Sequence, residues 1–188
     1  RSRLWDVACS LYGSTMLLRI AGLVPQTIIP AIGRRRFGLS EAEIGLAMGF
    51  MGVGKVCSNV PAASSQRLLG DKTTMLLGCG IFVASGAGLA CSRSLAELCG
   101  WFWLVGCYQA MLQIGRQSWS RVMFRNEIRG RALGLIGGFT RLASIFGPAL
   151  AGLVAARRPS FALFLTPLFA LISLIFLSFL PKERNTAA

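Results

Sequence analysis

The chain has 188 residues, of which 54% are hydrophobic and 14% are charged, and its mean hydropathy is +0.60. These values exclude an ordinary water-soluble domain and indicate an all-α membrane protein, because helices satisfy the backbone hydrogen bonds inside a bilayer. The formal net charge is +13 and histidine is absent, so catalytic triads and metal sites that need histidine are excluded.

The sequence shows no recognisable cofactor or metal site. The cysteines stand singly, without the close spacing of a zinc site or a disulfide framework. They are Cys9, Cys57, Cys79, Cys91, Cys99 and Cys107. No G-x-x-x-x-G-K-[ST] phosphate loop is present either. We therefore expect no cofactor and no metal, and we do not expect an enzyme, because no intramembrane carboxylate or activated nucleophile is visible.

Six windows of the sequence have the length of about 20 mostly apolar residues that a helix needs to cross the hydrocarbon core. They lie at roughly 8–33, 43–66, 73–92, 96–117, 132–156 and 160–181. Pro181, with charged residues after it, ends the last window. The sequence therefore predicts a six-transmembrane-helix bundle that forms a single domain over residues 1–188.

The loops between these windows predict the orientation of the chain. With both termini in the cytoplasm, the cytoplasmic loops carry more lysine and arginine than the outer loops, as the positive-inside rule requires. The run Arg34–Arg36 then lies outside, against that rule. The basic loop between the fourth and fifth windows has few aromatic neighbours, so we assign its arginines to lipid headgroups and expect no nucleic acid partner.

The first two windows each carry a polar or small-residue stripe at steps of three and four residues, which places the stripe on one helix face. In the first window the stripe is Tyr12, Thr15, Arg19, Gly22 and Gln26. In the second window it is Gly45, Gly49, Gly52, Lys55 and Asn59. Glycines at this spacing are also typical of close contacts between membrane helices, so both interpretations stay open.

The fourth and fifth windows repeat the pattern, whereas the third and sixth contain no charged residue. In the fourth window the stripe is Gly106, Gln109, Gln113 and Arg116. In the fifth window it is Gly134, Gly138, Arg141 and Pro148. We therefore predict that spans one, two, four and five surround a polar region, while spans three and six lie outside it and face lipid.

Cations without acidic partners mark this polar region. Arg19, Lys55 and Arg141 lie near mid-span, whereas Arg116 is close enough to a span end to reach the interface. Every acidic residue maps to a loop or a span end. Because an unpaired charge is costly in low dielectric, the pattern favours an anionic solute, or else an acidic residue of another chain. The predicted substrate cavity comprises Arg19, Gln26, Lys55, Asn59, Gln109, Gln113, Arg116 and Arg141.

The fifth window, GLIGGFTRLASIFGPALAG, carries the most specific motif. Gly134, Gly147, Pro148 and Gly152 match a glycine and proline pattern of drug and proton antiporters of the major facilitator superfamily, with alanine at two further positions. Independently of any family, Pro148 removes a helix hydrogen bond, and small neighbours allow a close helix approach. The resemblance implies that these four residues lie at the contact between two six-helix halves.

The turn between the second and third windows resembles a second motif of that superfamily, G-x-L-a-D-R-x-G-R-R. The acidic position of the motif is occupied by Arg67. Its closing Gly-Arg-Arg is represented by Gly70, Asp71 and Lys72, so the order of the charges is changed. The resemblance implies that this turn is a gating loop. Ahead of the second window, Ser40 and Glu43 form a predicted capping box.

The resemblance covers residues 8–181 and implies the amino-terminal six-helix half of a twelve-span transporter. Its implied function is secondary active transport of a small organic solute by alternating access, with the bilayer and a second six-helix half as partners. The alternative is a non-transporting membrane scaffold or regulatory remnant of such a transporter.

Overall fold

The computed structural model describes residues 2–124, 126–157 and 159–180, and the regular structure in these residues is α-helical. The helices are α1 (Ser2–Phe37), α2 (Glu41–Leu69), α3 (Asp71–Cys91), α4 (Leu95–Met123), α5 (Asn126–Arg157) and α6 (Pro159–Ser178). The predicted stop at Pro181 lies outside the described residues. The predicted all-α six-helix bundle is thus confirmed.

The turn between α1 and α2 is fixed by short-range polar contacts. Gly38 has a positive φ of 62°, which lets the chain reverse after α1. Ser40 and Glu43 form the predicted capping box, in which the Ser40 amide donates to the Glu43 carboxylate over 2.8 Å. Arg34 forms an ion pair with Glu41, so one member of the arginine run has a local role.

The helices pack in the order α2, α4, α3, α6, α1 and α5, each against the next. The largest fully buried side chains come mainly from α1, α3 and α4, and include Leu18, Phe82, Phe102 and Trp119, while α6 contributes Leu177. Half of the apolar window in α3 is buried, against only 17% of that in α5. Helix α3 therefore packs between α4 and α6 and is more buried than expected for a helix that faces lipid, whereas α5 is the more exposed helix.

Five helices in the described part of the chain are long and apolar enough to cross a membrane: α1, α3, α4, α5 and α6. The remaining helix, α2, is long enough, but Lys55, Asn59 and several glycines lower its mean hydropathy. Its polarity fits a helix that borders a polar region.

Candidate functional site

A cavity of about 130 Å³ opens near the middle of the bundle, between α1, α2, α4 and α5. It is lined by Thr15, Leu18, Arg19, Lys55, Tyr108, Gln109, Leu112, Gln113, Arg116 and Thr140. We call it the cationic cavity. Its walls come from the four helices whose stripes are polar, because those faces are turned toward one another.

Three cations line this cavity. Arg19 and Lys55 stand at the midpoints of α1 and α2, and Arg116 lies about two turns before the end of α4. Within the residues that the structure describes, no carboxylate forms an ion pair with any of the three. Among the described residues, the cavity therefore presents positive charge without an acidic ion-pair partner.

Tyr108 forms one wall of the cavity and connects it to the apolar core. Its ring stacks on Phe82 of α3, with centroids 3.9 Å apart and planes inclined by 14°. Its hydroxyl points to α1, where it would lie 3.1 Å from a Cβ added at Gly22. Sequence reasoning missed Tyr108 because it falls beside the stripe of α4, although a tyrosine one residue before Gln109 was an available signal.

A small polar cluster joins three helices next to the cavity. The side-chain amides of Gln26 in α1 and Gln109 in α4 each approach the sulfur of Met51 in α2 at 3.5 Å. Gln26 is therefore engaged in this cluster, one to two turns from Arg19, and is not among the cavity-lining residues. Asn59 is exposed on α2 and does not line the cavity either.

Arg141 borders a second and larger cavity of about 400 Å³, which lies between α4 and α5. We call it the α4–α5 groove. It is lined by Arg116, Gln117, Leu133, Ile136, Gly137, Thr140 and Arg141. The structure thus places Arg19, Lys55, Gln109, Gln113 and Arg116 around one cavity and Arg141 in its neighbour, with Arg116 and Thr140 common to both.

A sequence profile of the Major Facilitator Superfamily matches residues 8–188. The chain belongs to this superfamily. The resemblance to this superfamily that the sequence motifs predict is confirmed. The chain is an integral, multi-pass membrane protein of a superfamily of transporters. A comparison with curated protein sequences gives no match.

Among solved structures, the chain is similar to the human organic anion transporter MFSD10 (TETRAN), with a TM-score of 0.76 at 20% sequence identity. The match covers 94% of this chain and 47% of the human chain, so this chain spans about half the length of that superfamily member. At this identity the likeness shows the fold alone.

The glycines of the superfamily motif in α5 have different surroundings. Gly147 faces α1, where an added Cβ would lie 3.1 Å from Leu23, and Pro148 follows it inside the helix. Gly134 and Gly152 have no other atom within 4 Å of an added Cβ. The same is true of Gly138. Among the described residues, Gly147 thus contacts a helix of this chain, whereas the predicted contact of this motif with a second half stays a prediction.

The turn between α2 and α3, which resembles the superfamily's gating loop, contacts the end of α6 through a side chain of α3. Gly70 ends α2 with a φ of 85°, and Asp71 is buried at the start of α3. The ammonium of Lys72 donates hydrogen bonds to the carbonyl oxygens of Ser178, at 2.7 Å, and Leu180. Arg67 is exposed. A cation at the carboxyl end of a helix is favourable, so Lys72 anchors the end of α6.

Proposed function

We propose that this chain forms the amino-terminal half of a secondary active transporter that moves a small organic anion by alternating access. The observation that carries the proposal is the cationic cavity, which Arg19, Lys55 and Arg116 line together. Superfamily membership supports transport as the class of activity, and the positive charges of the cavity support a negatively charged solute.

The sign of the solute charge follows from the cost of keeping cations in a poorly hydrated space. Three positive charges repel one another, and the repulsion grows as water leaves a closing cavity. A carboxylate or phosphate group of the solute would offset it. Arginine suits such groups because its planar fork donates two parallel hydrogen bonds. The human MFSD10 protein is described as an organic anion transporter, but the proposal rests on the charges of this chain.

A second six-helix half belongs to the proposal, because one half encloses its solute on one side only. The faces available to it are those of α2 and α5, where Gly45, Gly49 and Gly138 have no neighbouring atom that an added Cβ would meet. Large apolar side chains, including Val56 and Ile145, are exposed on the same two helices. In this arrangement both termini of the chain are cytoplasmic, as the loop charges predict.

Ligand binding to the purified chain in lipid nanodiscs tests the sign of the charge. We expect benzoate to bind, and benzyltrimethylammonium, which has a similar apolar body and a positive charge, not to bind. Arg116→Gln and Lys55→Gln should each weaken benzoate binding by about tenfold or more, because a hydrogen bond to a charged group contributes about 1.5–3 kcal/mol. Arg93→Gln, which removes an exposed cation between α3 and α4, is the matched control. Equal binding of the two ligands contradicts an anionic solute.

Uptake tests transport itself. Cells that express the reading frame encoding this chain should accumulate labelled benzoate, and the Arg116→Gln variant should accumulate much less at equal expression. Binding without uptake would instead support the non-transporting scaffold or remnant.

A further inference from the structure

The cationic cavity is smaller than the α4–α5 groove beside it. Its volume of about 130 Å³ is close to the roughly 150 Å³ of a cavity that holds one benzene ring, so it takes a charged group with a small body. The adjoining α4–α5 groove measures about 400 Å³. An organic anion much larger than a single ring therefore needs space beyond the cationic cavity, and the groove offers it.

The two spaces adjoin at Arg116 and Thr140, which line both. From Thr140 the groove follows one face of α5 through Gly137 and Ile136 to Leu133. These residues recur at helical spacing, so they form one strip that faces α4. The strip is apolar at the Leu133 end and polar at the end that meets the cationic cavity.

We propose that the solute is an amphipathic anion, with its charged group in the cationic cavity and an apolar chain or ring in the α4–α5 groove. This inference rests on the proposed function and adds the class of substrate. Arg116 is central to this arrangement, because it lines both spaces and would contact the charged group where the apolar body begins. A small hydrophilic anion would leave the groove unfilled and gain nothing from its apolar wall.

Gly137 gives a way to fill the groove without disturbing the cavity. No other atom lies within 4 Å of a Cβ added there, so Gly137→Phe places a ring in the groove without a backbone clash. The matched control is Gly138→Phe, because Gly138 is equally open but does not line the groove. Thermal unfolding of both variants in nanodiscs shows whether each one folds.

The measurement is the dissociation constant of acetate, butanoate, hexanoate and octanoate for each purified protein, with hexyltrimethylammonium as the cationic counterpart. For the unmodified chain we expect the affinity to rise by up to about fourfold for each methylene group that enters the groove, and then to level off. Gly137→Phe should remove most of this gain and leave acetate unchanged. Gly138→Phe should reproduce the unmodified series.

The outcomes separate the two proposals. A series that binds with equal affinity at every chain length, or a gain that survives in a folded Gly137→Phe protein, overturns the amphipathic substrate while leaving an anion transporter in place. If Gly137→Phe does not fold, Leu133→Gln replaces it, since it makes the apolar end of the groove polar and should lower the affinity for octanoate at least tenfold without changing that for acetate. Preference for the hexyl cation overturns both proposals.

Discussion

Glycines on the two faces of α2 have opposite surroundings. Gly54 lies against α4, where an added Cβ would overlap the carbonyl oxygen of Trp103, and Gly106 of α4 lies against the carbonyl oxygen of Met51. On the other face, Gly45, Gly49 and Gly52 meet no atom within 4 Å. One helix therefore carries a close contact on one side and an open surface on the other.

The sequence pattern alone does not separate these two situations. Small residues at steps of three or four permit a close approach, but the approach needs a partner helix. The Gly54 and Gly106 contact has its partner within this chain, whereas the open glycines of α2 and α5 are the ones that our proposal assigns to a second half. Substitution of a glycine in the close contact should lower the free energy of unfolding, whereas substitution of an open glycine should leave it unchanged or raise it. This difference makes the comparison testable.

The largest effect is expected at the α2–α4 contact. Gly106→Leu forces a side chain into the backbone of α2, which cannot move aside as a flexible side chain can. We expect the free energy of unfolding to fall by about 3 kcal/mol or more, or folding to fail. The measurement is denaturant unfolding of the purified chain in mixed micelles, followed by circular dichroism.

The open glycines supply the counterpart to this variant. Gly49→Ala should leave the free energy of unfolding of the isolated chain unchanged or raise it by about 0.5–1 kcal/mol, because alanine favours a helix over glycine. A loss of more than 1 kcal/mol in Gly49→Ala would show that the open face is packed after all.

The next largest effect distinguishes the cationic cavity from the α4–α5 groove. Arg116 borders both, whereas Arg141 borders the groove alone. Arg116→Gln should therefore weaken binding of an organic anion by about 10- to 100-fold, and Arg141→Gln by less. Titration calorimetry with octanoate measures both. The reverse order would place the anionic group beside Arg141.

The position of Arg141 shows how far sequence periodicity reaches. Spacing placed Arg19, Lys55 and Arg116 on the inner faces of their helices, and the structure brings their side chains around one cavity. Spacing fixes the face of one helix but not the distance to the next. It could not reveal that Arg141 and Arg19 border different cavities, because that depends on how far α5 stands from α4.

The helices could be predicted from the sequence more fully than the site, because the site depends on distances between helices. Apolar length and breaks such as Gly38 and Gly70 depend on local sequence, so six helices and their approximate ends could be predicted. The place of α3 between α4 and α6 depends on long-range packing. A helix without charges is typical of lipid exposure, yet small residues such as Gly86 bring α3 against Thr166 and Pro167 of α6.

A moderate effect is expected where α3 meets α6 in the packed part of the molecule. Lys72→Met keeps the aliphatic stem but removes both hydrogen bonds to the end of α6. We expect the free energy of unfolding to fall by about 1–2 kcal/mol, since the donor is charged and the carbonyl oxygens lose a partner. Hydrogen exchange should rise in the last turn of α6. Unchanged exchange there would contradict an anchoring role for Lys72.

A smaller effect is expected at Tyr108, which belongs to both regions because its ring stacks in the core and its side chain also lines the cavity. Tyr108→Phe retains the stacking on Phe82, so the free energy of unfolding should change by less than about 1 kcal/mol. Anion binding should weaken by about tenfold, the low end of the effect expected for the loss of a hydrogen bond to a charged group. Binding that stays unchanged would leave Tyr108 a packing residue alone.

The smallest effect is expected at the turn between α1 and α2, two helices that make few contacts with each other. The side chains of Arg34 and Glu41 are 58% and 79% exposed, so water screens their attraction. Arg34→Gln should change the free energy of unfolding by about 0–1 kcal/mol, and less in 1 M salt than in 0.1 M salt. A loss above 2 kcal/mol that persists in 1 M salt would show that this turn holds α1 and α2 together. In that case the α1–α2 turn would stabilise the open side of the bundle as much as close helix contacts stabilise the opposite side.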